Sequence, residues 1–135
     1  MPYKFEQLEV WKLALDYIDL IYKLAENLPR SEDFNLKSQI TRAATSIALN
    51  IAEGSQGQSD AEQARFLGMS LRSLIETVAC QKIIGRRGYL QDEIMLNKAY
   101  QDSQTLARKL QSFRKSLSSS YQVKEDSPVY AESDV

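Results

Sequence analysis

The chain contains no histidine, which removes the commonest general base and the commonest protein ligand for metals. A single cysteine, Cys80, cannot close an intrachain disulfide, and its absence of partners suits a reducing, cytoplasmic setting. Cys80 stands among Val78, Ala79 and Ile83, so it reads as a small core residue and not as an activated nucleophile. Five glycines and three prolines in 135 residues leave room for long uninterrupted helices. Those glycines form neither a dinucleotide fingerprint nor a P-loop. No apolar run approaches the ~18 residues of a membrane helix, and Met1–Glu6 does not resemble a signal peptide. Without the paired Glu-x-x-His segments of di-iron bundles a metal enzyme is not expected either. The expectation is a non-enzymatic protein with no cofactor, no metal and no membrane partner.

Hydrophobic residues make up 43% of the chain, enough for a packed core and too many for a mostly disordered polymer. The formal charge of −1 and a pI near 5.5 carry no global sign of nucleic-acid binding. The charge is nevertheless uneven. Residues 1–116 hold sixteen Lys and Arg against fourteen Asp and Glu, a net of +2. Residues 117–135 hold Lys124 against Glu125, Asp126, Glu132 and Asp134, a net of −3.

Residues 7–28 sort into helical stripes. Trp11, Ala14, Ile18, Ile21, Ala25 and Leu28 step by threes and fours, and Val10, Leu13, Tyr17, Leu20 and Leu24 do the same on the adjoining face. Glu9, Lys12, Asp16, Asp19, Lys23 and Glu26 form a charged stripe opposite. Two apolar stripes on one helix serve either a large intramolecular core or a subunit interface, and Val10, Leu13, Tyr17, Leu20 and Leu24 are the interface candidates. Pro29 ends this helix, and Ser31, Glu32 and Asp33 open the next. That second helix is expected to run to Glu53, with Gly54 just past its end and a loop over residues 54–58. Ser59-Asp60-Ala61-Glu62 has the spacing of a capping box for a third helix reaching about Ile84. Gly85-Arg86-Arg87-Gly88 is the next break, and a fourth helix spans about 91–117. Short loops between four such helices predict an all-α, up-down-up-down four-helix bundle over residues 1–117. Residues 118–135 lose all apolar periodicity and read as a disordered, acidic, Ser-rich tail.

The most informative segment is the second helix. Gln39, Arg42, Ser46, Asn50 and Glu53 share one polar face, and the third helix offers Ser73 and Glu76. A hairpin centred near residue 57 sets Gln39 and Arg42 level with Ser73 and Glu76, and Ser46 opposite Gly68. The stripe is either a solvated face or a hydrogen-bond network fixing helix register, in which Arg42 pairs with Glu76 or Glu53. At one bundle end, Lys4 and Lys12 are expected beside Arg108, Lys109, Arg114 and Lys115. Those six are the nucleic-acid-binding candidates, the alternative being an ordinary solvated helix end.

The run Gln39-Ile40-Thr41-Arg42-Ala43-Ala44-Thr45-Ser46-Ile47-Ala48-Leu49-Asn50-Ile51-Ala52-Glu53-Gly54 resembles the signature of a bacterial four-helix-bundle family. That family comprises proteins encoded in intervening sequences of large-subunit ribosomal RNA genes and the accessory variability determinant of diversity-generating retroelements. Phe5-x-x-Leu8-x-Val10-Trp11-x-x-Ala14, Phe66-Leu67 with Ser73-Leu74-x-Glu76, and Gly88-Tyr89-Leu90 agree in order, so the resemblance covers residues 5–115. Ala48, Thr41 and Arg72 depart from it, standing where Pro, a second Arg and Gly are common. The resemblance implies a ring-shaped homo-oligomer of five bundles. It also implies an accessory or adaptor role beside RNA, DNA or a reverse transcriptase. A structural protein-binding module with no nucleic-acid role is the competing expectation.

Overall fold

The computed structural model describes residues 3–57 and 59–118. Among them there are four long helices and no strand: α1 Glu9–Glu26, α2 Leu36–Ser55, α3 Asp60–Arg87 and α4 Ile94–Ser118. Short 3-10 turns over Lys4–Gln7 and Arg30–Glu32 precede α1 and α2. Each helix packs antiparallel against its chain neighbours, and α4 returns to lie against α1. This is the up-down-up-down bundle that the apolar periodicity requires. The acidic tail lies outside the described residues, apart from Ser118 at the end of α4.

The start and stop signals act as local chemistry dictates, with two exceptions. The Ser59 Oγ accepts from the Glu62 N–H at 3.1 Å and caps α3. Gly88 takes the left-handed φ of 68° that ends α3 three residues beyond the expected Ile84. At α2 the expected caps give way to others. Ser31 caps nothing; the Glu32 carboxylate reaches the Leu36 N–H at 3.2 Å instead. Gly54 does not lie past the end of α2 but inside it, because α3 crosses so closely there. A Cβ at Gly54 would stand 2.7 Å from the Phe66 Cβ, so the glycine permits the tight α2–α3 contact.

The core takes residues from both α1 stripes. Val10, Ala14, Tyr17, Ile21, Leu24, Ala25 and Leu28 are buried against Leu36, Ile40, Ala44, Ile47 and Ile51 of α2. Leu67, Leu74 and Ile84 of α3 and Ala99, Leu106 and Leu110 of α4 complete it. Burying a Leu or Ile side chain stabilises by roughly 1.5–3 kcal/mol. The alignment of this face along α1 therefore fixes which residues remain for the surface.

Candidate functional site

That allocation corrects the interface stripe. Val10, Tyr17 and Leu24 lie in the core of the single chain at 4%, 2% and 0% exposure, so no second subunit can meet them. Leu13 and Leu20 are half-buried and line a groove of about 410 Å³ between α1 and α4, with Asp16, Lys98, Asp102 and Thr105. On the opposite flank of α1 the apolar side chains left outside include Leu15 and Tyr22, with Leu49 of α2. Tyr22 donates or accepts at Thr45 Oγ1, 3.2 Å away, so these residues flank the seam between α1 and α2.

The polar stripe on α2 divides in two. Asn50 Nδ2 donates to the Ser46 Oγ (3.2 Å) and carbonyl (3.0 Å), and Ser73 Oγ donates to Ser46 Oγ across the α2–α3 seam at 3.1 Å. Deeper in the same seam, Ser70 Oγ donates to the Ile47 carbonyl at 2.8 Å. Gln39, Arg42, Glu53 and Glu76 are exposed, and among the described residues no ion pair joins Arg42 to either glutamate. Ser46 therefore faces Ser73 and not Gly68. The same offset recurs along the seam, where Ile47 meets Ser70 and Gly54 meets Phe66, so the α2–α3 register is centred beyond residue 57. Gly68 is covered instead by the Arg114 guanidinium, whose Nη2 would lie 3.1 Å from a Cβ there.

The candidate cations do share one bundle end. Lys109 Nζ pairs with Glu9 Oε2 at 3.2 Å, which ties the late part of α4 to the start of α1. Lys4, Lys12, Arg108 and Lys115 are exposed, and Arg114 is half-buried over Gly68. Arg108 also reaches Thr105 Oγ1 at 3.4 Å. From Ser103 to Ser118 α4 carries four cations and no acid, a local excess of positive charge hidden by the acidic pI. An aromatic cluster lies on the other flank of α1, where the Lys4–Gln7 turn packs against α2. Tyr3 and Phe5 lie with ring centroids 6.0 Å apart and planes 16° off parallel, and Phe5 meets Trp11 edge-on at 4.5 Å.

Two polar clusters, one buried and one half-buried, escaped the sequence reading. Tyr17 reaches diagonally across the bundle from α1 to α3. Gln81 Nε2 donates to its hydroxyl at 2.7 Å, and Thr77 Oγ1 lies 2.7 Å away. Thr77 spends its own proton on the Leu74 carbonyl at 2.6 Å, so the Tyr17 hydroxyl must donate to Thr77. Burial pushes the Tyr17 phenol up to about 12 against the two hydrogen bonds that lower it. The signal in the sequence was the i,i+4 pair Thr77/Gln81 on the buried face of α3. At the opposite end from the cations, Glu32 accepts from Tyr89 (2.6 Å), Asn35 (2.9 Å) and the Leu36 N–H. Tyr89 foremost, then the Leu36 amide, hold that carboxyl below the usual range despite burial. The Arg87 guanidinium stands over the Tyr89 ring at 5.7 Å. This cluster ties the α1–α2 turn to the α3–α4 turn and reads as a structural clamp.

Residues 6–119 match the family model described as 23S rRNA-intervening sequence protein. The chain belongs to that family. A solved structure from Bacteroides thetaiotaomicron VPI-5482 is similar to it at 29% identity, with a TM-score of 0.71. The similarity covers 78% of this chain and 98% of that one, which is described as a protein of unknown function from the S23 ribosomal protein family. No match was found among curated proteins. The signature over residues 39–54 that carried the resemblance is the α2 face just described. It supplies the Ser46–Ser73 contact, the buried Ile47 and Ile51, and the glycine at the α2–α3 crossing. Among the described residues no helix is long and apolar enough to cross a membrane.

Proposed function

We propose that this protein is a non-enzymatic adaptor that assembles with copies of itself and holds nucleic acid, or a nucleoprotein containing a reverse transcriptase, on its basic end. The carrying observation is the acid-free stretch of α4 with Arg108, Lys109, Arg114 and Lys115, joined to the start of α1 through Glu9–Lys109. Phosphate neutralisation by a handful of cations is weak in one subunit. Repeated around a ring of several subunits, five by family resemblance, it becomes multivalent. Leu13 and Leu20, with Leu15, Tyr22 and Leu49, are among the apolar residues available for contacts between copies.

A second reading, a protein-docking module with no nucleic-acid role, is favoured by the exposed apolar seam of Leu15, Tyr22 and Leu49. Light scattering combined with anisotropy of a labelled RNA separates the two. The adaptor reading expects a mass several times 15.4 kDa and binding that collapses with added salt. A stable monomer with no RNA affinity at low salt would sink it.

A further inference from the structure

The aromatic cluster at the start of α1 is not accounted for by phosphate binding. Tyr3 is 62% exposed, although a tyrosine ring gains by burial. Its plane lies within 16° of the Phe5 plane, and Phe5 in turn meets the half-buried Trp11. The three rings thus run from α1 out to Tyr3, the most exposed of them. Cations are interleaved with them: Lys4 sits between Tyr3 and Phe5, and Lys12 follows Trp11, both exposed. Of the acids on this segment, Glu9 is neutralised by Lys109 and Glu6 is exposed.

A purely apolar patch would suit a protein or a lipid. An exposed ring flanked by ammonium groups instead suits a polymer that alternates flat bases with phosphates. We infer that Tyr3, Phe5, Lys4 and Lys12 form a subsite for single-stranded nucleic acid. An unpaired base extends the Tyr3–Phe5 stack, and the flanking phosphates pair with the cations. This rests on the nucleic-acid reading of the basic end and narrows it to unpaired strands. A duplex keeps its bases stacked on each other and offers Tyr3 no face. Stacking is indifferent to base identity, so the subsite reads strandedness and not sequence.

The test uses the full-length protein with labelled oligo-U, oligo-dT and a duplex of equal length. The expected result is tighter binding of both single strands than of duplex, with quenching of Trp11, the only tryptophan. Tyr3→Ala then weakens single-strand binding about tenfold and leaves duplex binding unchanged, while Tyr3→Phe retains full affinity. Because Tyr3 is exposed, neither substitution threatens the fold. A preference between oligo-U and oligo-dT supports the subsite and identifies the source of the strand. Salt-sensitive binding that ignores strandedness, or that survives Tyr3→Ala intact, overturns the subsite while the basic-end reading stands. Loss of oligomer mass in Tyr3→Ala with single-strand affinity intact makes the rings a contact between copies and also overturns it. Binding of no probe even at low salt overturns both.

Discussion

Replacing Tyr17 by Phe takes one oxygen from the middle of the bundle and strands a buried amide. The Phe ring still fills the space, so no cavity term enters. Thr77 keeps its bond to the Leu74 carbonyl, and its oxygen loses one donor. Gln81 Nε2 loses the acceptor it reaches at 2.7 Å, and Gln81 Oε1 is already buried without a partner. A stranded buried donor costs about 1–3 kcal/mol, so Tyr17→Phe should destabilise by about 2 kcal/mol. For a chain of this length that lowers Tm by roughly 8 °C. Adding Gln81→Leu removes the stranded group altogether, and the double variant should recover at least half the loss. Alkaline pH reads out the burial of the same phenol. The folded phenol is held at about 12 and the unfolded one titrates near its ordinary 10.0. This part of the stability is intact below pH ~10 and is lost as pH rises toward ~12, by roughly 3 kcal/mol in all. Urea unfolding of wild type, single and double variants at neutral and alkaline pH measures each quantity. If Tyr17→Phe matches wild type within about 0.5 kcal/mol, or Gln81→Leu makes it worse, the network does not hold α1 to α3 as argued.

Other substitutions follow from the same contacts. Tyr89→Phe removes the strongest hydrogen bond lowering the Glu32 carboxyl, so that group should titrate closer to its ordinary value. Since a depressed carboxyl stabilises above the unfolded pKa and ceases to as pH falls through the folded one, the variant should be less stable at neutral pH. Its acid unfolding should also begin at higher pH, as circular dichroism would show. Gly54→Ala gains about 1 kcal/mol of helix propensity but forces a Cβ to 2.7 Å from Phe66. Against an overpacking cost of about 1–3 kcal/mol, a net destabilisation of about 1 kcal/mol is expected in urea unfolding. Arg42→Ala should change stability by less than about 0.5 kcal/mol, because the side chain is exposed and pairs with neither Glu53 nor Glu76. A Tm drop of many degrees would restore the buried ion pair.

The helices were legible because their signals are local: periodicity along 7–28, the Ser59 cap, the Gly88 terminator. What depended on how the helices meet was not. Val10, Tyr17 and Leu24 looked as available for an interface as Ala14 and Ile21, since periodicity identifies apolar stripes but not the direction of the core. Gly54 carried the look of a terminator, and only the approach of Phe66 shows it as a packing residue. Arg42 shared a stripe with Ser46 and Asn50, yet one step round the helix separates a seam from open solvent. The basic end was readable, because a bundle of even helices must place the start of α1 beside the end of α4. The ring cluster of Tyr3, Phe5 and Trp11 was missed because residues 3–5 precede the periodic pattern and carry no helical signature.

The slope of log K against log salt for single-strand binding tests the adaptor account most directly. Each phosphate neutralised on a single strand contributes about −0.7 to that slope. The account predicts a clearly negative slope for the wild-type protein. It also predicts a reduction in magnitude of about 1.4 when Lys12→Ala and Arg108→Ala remove two exposed cations from each contact. A slope near zero, or one that the double variant leaves unchanged, would contradict it.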